Sequence, residues 1–236
     1  MKNITLLAID LAKQVFQLHG IDAEGKTVLR KKISSREKFT LYIANLNPCN
    51  IYMEACGASN YWGRKFIGFG HDVKLINPKY VKPFVKRNKN DANDAEGIAA
   101  AATSPNMRFC SVKTEAHQDM QSTHRIRNLL VQQRTALVNQ IRGILGEYGD
   151  VSAKGIAIIR KRLPEILGDN PGNLSCEMLI NISKLYDIFK YLDEQILAYD
   201  KKIENLFKNS EPSKQLETIP GVGVMGSTIL ASMLAT

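Results

Sequence analysis

The sequence predicts an α/β protein: a mixed sheet with flanking helices, followed by long helices and a short Gly-rich segment. Three observations predict it. Short apolar runs bounded by turn residues recur from position 4 to position 76, first close together and then alternating with stretches of helical spacing. Beyond position 112 the pattern changes to long, almost Pro-free stretches with apolar residues every three or four positions, which is helical periodicity. Finally, 44% of the 236 residues are hydrophobic, enough for one sizeable core and a second element beside it.

The elements follow in order. Residues 4–9, 15–19 and 27–33 read as three strands, with Asp22 to Gly25 as one of the turns; strands this close are most simply antiparallel neighbours. Residues 36–46 read as a helix, 51–54 as a strand, 60–69 as a helix ended by Gly70, and 73–76 as a strand. A basic segment follows, then a helix over 91–102 and a short strand over 107–112. Three strands followed by strand-helix alternation describe a mixed sheet with helices on its faces. Tyr61, Trp62, Phe66 and Phe69 have the spacing of a helix packed on that sheet and are expected in the core.

Four carboxylates stand out against this frame. Asp10 ends the first apolar run and Glu54 ends the run Ile51, Tyr52, Met53. An acid at the mouth of a buried strand is costly unless something compensates it. Asp91 and Asp94 open an Ala-rich stretch three residues apart, so a helix places them on one face, one turn apart. Singly, each has an ordinary reading as a turn, surface or helix-start acid. Together, with no Cys or His among them, they suit a hard oxygen-liganded cation, Mg²⁺ or Mn²⁺.

Charge narrows the partner. Thirty-two Lys and Arg against twenty-three Asp and Glu give a net charge of +9, which favours a polyanion, nucleic acid ahead of a membrane surface. Lys79, Lys82, Lys86, Arg87 and Lys89 lead without an intervening acid into the Asp91/Asp94 pair. A basic approach to an acidic metal site is what phosphodiester chemistry needs. Cys49, Cys56, Cys110 and Cys176 lack the spacing of a zinc site and read as reduced structural thiols. The N-terminus does not resemble a signal peptide and no apolar stretch approaches membrane-spanning length, so the chain is read as cytoplasmic.

Residues 115–148 read as one long helix with Ile126, Leu130, Leu137, Ile141, Ile144 and Tyr148 along it and Arg125, Arg127, Arg134 and Arg142 at exposed positions. These arginines are either a solvated face or contacts to nucleic acid. Met178, Ile182, Leu185, Phe189, Leu192, Ile196, Tyr199, Ile203 and Leu206 step by four and three, a heptad seam that requires a coiled-coil partner. The partner is either the first long helix, folded back across the 149–176 connection, or a second copy in a homo-oligomer. Gly221, Gly223 and Gly226 mimic a dinucleotide fingerprint, but no strand precedes them and no acid follows at the required distance. A Pro220-Gly221-Val222-Gly223 turn opening a helix instead suggests a helix-hairpin-helix element, in which Gly221 and Gly223 present backbone amides to a nucleic-acid phosphate.

Four segments, Ala8-Ile9-Asp10-Leu11-Ala12-Lys13, Met53-Glu54-Ala55-Cys56-Gly57, Lys89-Asn90-Asp91-Ala92-Asn93-Asp94-Ala95 and Ile219-Pro220-Gly221-Val222-Gly223, together resemble the DEDD-type transposases of the insertion-sequence one-ten family, relatives of the Piv site-specific invertase. The resemblance runs in order along essentially the whole chain. It implies a RuvC-like, RNase H-like catalytic domain over 1–112, a helical coiled-coil region over 113–210 and the start of a C-terminal transposase domain over 211–236. It also implies DNA recombination directed by a structured RNA that the element encodes, with Asp10, Glu54, Asp91 and Asp94 as a tetrad holding divalent metal. Relatives carry a downstream serine, in a Ser-Ser-Gly-Gly-Lys-like context, as strand-transfer nucleophile. This chain reaches Thr236 without that context, so a truncated copy is expected, and neither Ser227 nor Ser232 inherits the role. Two other readings stand beside the transposase: a RuvC-like junction-resolving nuclease using metal-activated water, and a remnant that binds nucleic acid without catalysis.

Overall fold

A computed structural model describes residues 3–85, 91–151, 153–168 and 171–234, with the side chains of 91 and 92 outside that set. The described chain divides into two compact units that meet in sequence at residues 116 and 117.

The first unit is built on a six-stranded mixed sheet, consistent with an RNase H-like fold, in the order β3-β2-β1-β4-β5-β6. Strands β1 (Leu6–Leu11), β2 (Phe16–Ile21) and β3 (Thr27–Ile33) form an antiparallel meander. Its second turn is closed by Asp22, whose side chain accepts from the Lys26 amide at 2.8 Å, and by Gly25 at φ +78°, a left-handed conformation that glycine adopts without steric cost. Helix α1 (Arg36–Ala44), capped by Ser35 Oγ on the Lys38 amide, then carries the chain across the sheet to β4 (Asn50–Glu54), parallel to β1. Helix α2 (Ser59–Ile67) makes the second crossover to β5 (Asp72–Ile76), parallel to β4. The chain next forms helix α3 (Pro78–Val81), a 3₁₀ turn over Lys82–Phe84, helix α4 (Asp91–Ala102) and β6 (Phe109–Cys110), antiparallel to β5.

Side-chain alternation sorts the two faces of the sheet. Leu7, Ile9, Ile51, Met53, Val73 and Leu75 face α1 and α2, where Phe16, Phe39, Trp62 and Phe66 complete the main core. Phe39 stacks on Phe16 at 3.9 Å between centroids and meets Trp62 edge-on at 4.9 Å. Trp62 and Phe66 are thus core residues as expected, whereas Tyr61 is exposed. The residues between them, Leu6, Ala8, Tyr52 and Ile76, face the opposite layer and pack with Val81, Ile98, Ala99 and Ala101. The Ala-rich sequence of α4 lets the helix lie close on β1, β2 and β4.

The second unit contains α5 (Glu115–Glu147), α6 (Ile156–Leu167), α7 (Cys176–Lys208), α8 (Glu211–Glu217) and α9 (Val224–Ala231). Val138, Ile141 and Leu145 of α5, Ile159, Leu163 and Ile166 of α6, and Ile182 and Phe189 of α7 form one apolar cluster. Helix α6 lies within what the sequence reading treats as a connection, and it takes up part of the apolar face of α7. Helices α5 and α7 are antiparallel: Arg127 pairs with Asp200, and one heptad further along α5 Arg134 pairs with Asp193, one heptad back along α7. At the far end, α8 and α9 flank the Pro220–Gly223 turn, with Gly221 at φ +87° and the Val222 amide on Ile219 O at 3.0 Å. Ser227 and Ser232 are fully buried. Among the described residues no helix is long and apolar enough to cross a membrane.

Candidate metal centre

The strand register assembles the acids. Ile9 pairs with Met53 at the end of the parallel β1–β4 ladder, so Asp10 and Glu54 are the next residues on two adjacent central strands. By alternation Asp10 follows Leu6 and Ala8, and Glu54 follows Tyr52, onto the α4 face. Helix α4 begins at Asp91, as the sequence predicts, and Asp94 stands in its first turn immediately before buried Ala95. The side chain of Asp91 lies outside the described residues.

Glu54 and Asp94 line a common cleft of about 460 Å³ with Pro78, Val81, Lys82 and Val85. Burial raises the Glu54 pKa above the usual carboxylate range, and the charge of Asp94 adds to the effect. The Cys56 thiol, just beyond the strand, is likewise raised by desolvation and then by the charges of Glu54 and Asp10, against a smaller opposing backbone hydrogen bond. Asp94 thus acts on Glu54, and Glu54 and Asp10 act together on Cys56. Among the described residues no three His, Cys, Asp or Glu side chains are grouped tightly enough to hold a metal ion. The donor chemistry nevertheless fits a hard divalent cation: oxygen ligands, half-buried and mutually repelling, are what such an ion relieves.

Local structure holds Glu54 in place. The Cys56 amide donates to Glu54 O at 2.8 Å, and Ser59 donates through its amide and its Oγ to Cys56 O at 3.2 and 2.9 Å. The turn contains Ala58 at φ +69°, a left-handed conformation that is strained for a residue with a Cβ.

The predicted basic residues fall into distinct classes. Lys79 and Lys82 are exposed, and Lys82 lines the acidic cleft. Lys86, Arg87 and Lys89 lie outside the described residues. On α5, Arg125 is exposed and Arg142 is half-buried. Arg127 and Arg134, each partly exposed, are engaged by the α7 carboxylates Asp200 and Asp193. Gly221 is exposed in the inter-helix turn and Gly223 is the residue before α9. Sequence reasoning missed the apolar rim of the acidic cleft, Pro78, Val81 and Val85, since nothing in their spacing distinguishes a rim from a core.

An acid pair on adjacent parallel strands is thus faced by a third acid on a crossing helix, and comparison with known proteins leads to the transposases. A family model described as a transposase of DEDD type matches residues 7–149. The chain is 42% identical over 225 residues to the transposase for insertion sequence element IS1111A of Coxiella burnetii, covering 95% of this chain and 62% of that protein. It is 39% identical over 236 residues to the transposase for insertion sequence element IS1328 of Yersinia enterocolitica, covering 100% of this chain and 68% of that one. A probable family 20 transposase of Pseudomonas aeruginosa is 37% identical over 231 residues, with 98% and 68% covered. The chain belongs to the IS110 family of transposases. It spans roughly two thirds of the length of these relatives.

Proposed function

We propose that this chain carries the RNase H-like (RuvC-like) catalytic domain of an insertion-sequence transposase, in which Asp10, Glu54, Asp91 and Asp94 hold Mg²⁺ or Mn²⁺ and act on DNA phosphodiesters. The observation that carries this reading is the placement of Asp10 and Glu54 side by side at the ends of β1 and β4, with Glu54 and Asp94 of α4 lining one cleft. A bound divalent ion supplies Lewis-acid stabilisation of the charge that develops on phosphate oxygens. The chain's own residues supply the rest. Ala58 and the Ser59 hydrogen bonds fix the Glu54 backbone, Ala95 and Ala99 let α4 approach the sheet, and Lys82 places a cation beside the carboxylates where a phosphate would enter.

DNA is the expected partner, contacted through Lys79, Lys82, Arg125 and the 86–89 segment, with the Gly221 and Gly223 amides offering a further phosphate contact. A structured RNA encoded by the element is a second partner on this reading. Exposed Ile180, Ile188 and Tyr191 on α7 support a homo-oligomer through the long helices. Buried Ser227 and Ser232 are unsuited to act as nucleophiles, so the attacking group is not assigned to either.

The test is strand cleavage and transfer on a supercoiled plasmid carrying the element's ends, with its flanking noncoding RNA supplied, in Mg²⁺ and in EDTA. Activity that needs Mg²⁺ and disappears in Asp10→Asn and Glu54→Gln is expected. Activity indifferent to both substitutions would remove the carboxylates from the mechanism, and cleavage of four-way junctions to hydrolysed 5′-phosphate ends would favour a junction-resolving nuclease.

A further inference from the structure

The segment that walls the acidic cleft has a second side. Val81, Lys82 and Val85 line the cleft that holds Glu54 and Asp94. Tyr80, Pro83 and Phe84, from the same two turns of chain, line a separate groove of about 530 Å³, closed opposite by Pro105, Met107 and Arg108. Tyr80 is 40% exposed and Phe84 37%. Two aromatic rings left open to solvent on one short segment cost free energy that burial would recover. Among its described lining residues the groove contains no acid and one guanidinium, Arg108, and exposed Lys79 and Lys82 flank Tyr80 in sequence. Open aromatic rings with cations around them are the composition of a stacking platform for unpaired bases. A duplex, whose bases are already stacked, offers such rings nothing to bind.

The geometry points to this groove as a binding site for single-stranded DNA, with bases stacked on Tyr80 and Phe84 and a phosphate on Arg108. The inference rests on the reading of the adjacent cleft as a DNA-processing site. A strand whose phosphate lies at Glu54 and Asp94 passes over Lys82 and reaches the groove within the next nucleotides, because Lys82 and Pro83 are consecutive residues on its two sides. The groove then receives the unpaired stretch that strand processing exposes and holds it away from its complement.

The test measures binding of the full chain in EDTA to a single-stranded oligonucleotide carrying 2-aminopurine, with the same sequence as duplex for comparison. Each of Tyr80→Leu and Phe84→Leu is expected to weaken single-strand binding by about 5- to 150-fold and to abolish stacking-induced quenching, while duplex affinity is unchanged. Tyr80→Trp should retain both affinity and quenching, which a merely structural role for the ring would not require. Arg108→Gln should reduce the salt slope of single-strand binding by about 0.7. Equal losses on single strand and duplex, or leucine binding as tightly as tryptophan, would overturn the proposal. The EDTA assay is independent of metal chemistry. Intact single-strand binding with inert carboxylates removes the catalytic reading alone, and metal-dependent cleavage without ring-dependent binding removes the groove alone.

Discussion

Arg134 of α5 and Asp193 of α7 meet at 2.6 Å, and the second oxygen of that carboxylate receives Nε and Nη2 of Arg160 from α6 at 3.0 and 2.7 Å. One acid thereby ties three helices. Arg134 and Asp193 are only 16% and 20% exposed, so removing the acid strands a guanidinium in a poorly hydrated position. Asp193→Ala is expected to lower stability by about 2 kcal/mol, read from the urea midpoint. Pairing it with Arg134→Met should recover part of the loss, since the methionine leaves no unpaired charge; a strictly additive double variant would contradict this.

Glu54 is expected to destabilise the metal-free fold at neutral pH. Burial, and then the Asp94 charge, raises its pKa in the folded state. An acid so raised favours folding fully below its unfolded pKa, about 4.3, and loses that contribution as pH rises through the folded value. In EDTA, Glu54→Gln should therefore melt higher than wild type at pH 7 and not at pH 3. Asp94→Asn should act in the same direction by removing the charge that Glu54 faces. Adding Mg²⁺ should stabilise wild type more than either variant.

His124 gives the helical unit an acid-side weakness. Its Nε2 lies 2.9 Å from Thr228 Oγ1, which itself donates to Val224 O at 2.7 Å, so the ring nitrogen is the donor. Burial, and then the Arg127 charge, lowers the His124 pKa. A histidine so lowered contributes stability above its unfolded pKa, about 6.5, that is lost as pH falls through the folded value. Thr228→Val should cost about 1–3 kcal/mol by leaving the ring N–H unpaired. His124→Gln should flatten the pH dependence of the thermal midpoint between pH 7 and 5.

Gly63 is a packing requirement of α2. A Cβ there would lie 2.6 Å from Cγ2 of Val112, in a stretch pinned by the Lys113 amide on Asn60 Oδ1 at 2.9 Å and by Arg64 Nη1 on Lys113 O at 2.8 Å. Gly63→Ala is expected to destabilise by about 1–3 kcal/mol through overpacking, despite the better helix propensity of alanine. Adding Val112→Ala should relieve the clash, as a thermal melt of the double variant would show.

The sheet was legible wherever burial followed alternation. Strand Thr27–Ile33 and helix Asp91–Ala102 have the bounds expected from sequence, because turn residues and an Ala-rich run mark their ends. The first strand lies two residues later than expected, Leu6–Leu11: Ile4 belongs to the apolar run but precedes the strand, and Asp10 lies within it. Helix α6 was hidden by Gly155, Pro164 and Gly168, residues that usually break helices, although Ile159, Leu163 and Ile166 keep helical spacing. It packs on the end of α5 where Val138, Ile141 and Leu145 are inside, whereas Ile126, nearer the start of α5, is exposed. Asp10, Glu54 and the start of α4 could be placed from strand ends and spacing. The pairing of Arg127 and Arg134 could not, since a basic helix position reads the same whether an acid or water faces it.

The order of strands also sets a schedule. Asp10 leaves the ribosome early, Glu54 only after the first helical crossover through α1, and Asp94 after β5 is complete. Until α4 can settle across β1 and β4, Glu54 stands beside Asp10 at the strand ends without the charge of Asp94. A nascent or proteolytically shortened chain that ends before α4 lacks Asp94 and so one of the acids of the cleft. The acidic cleft is finished only when nearly the whole sheet exists to hold it.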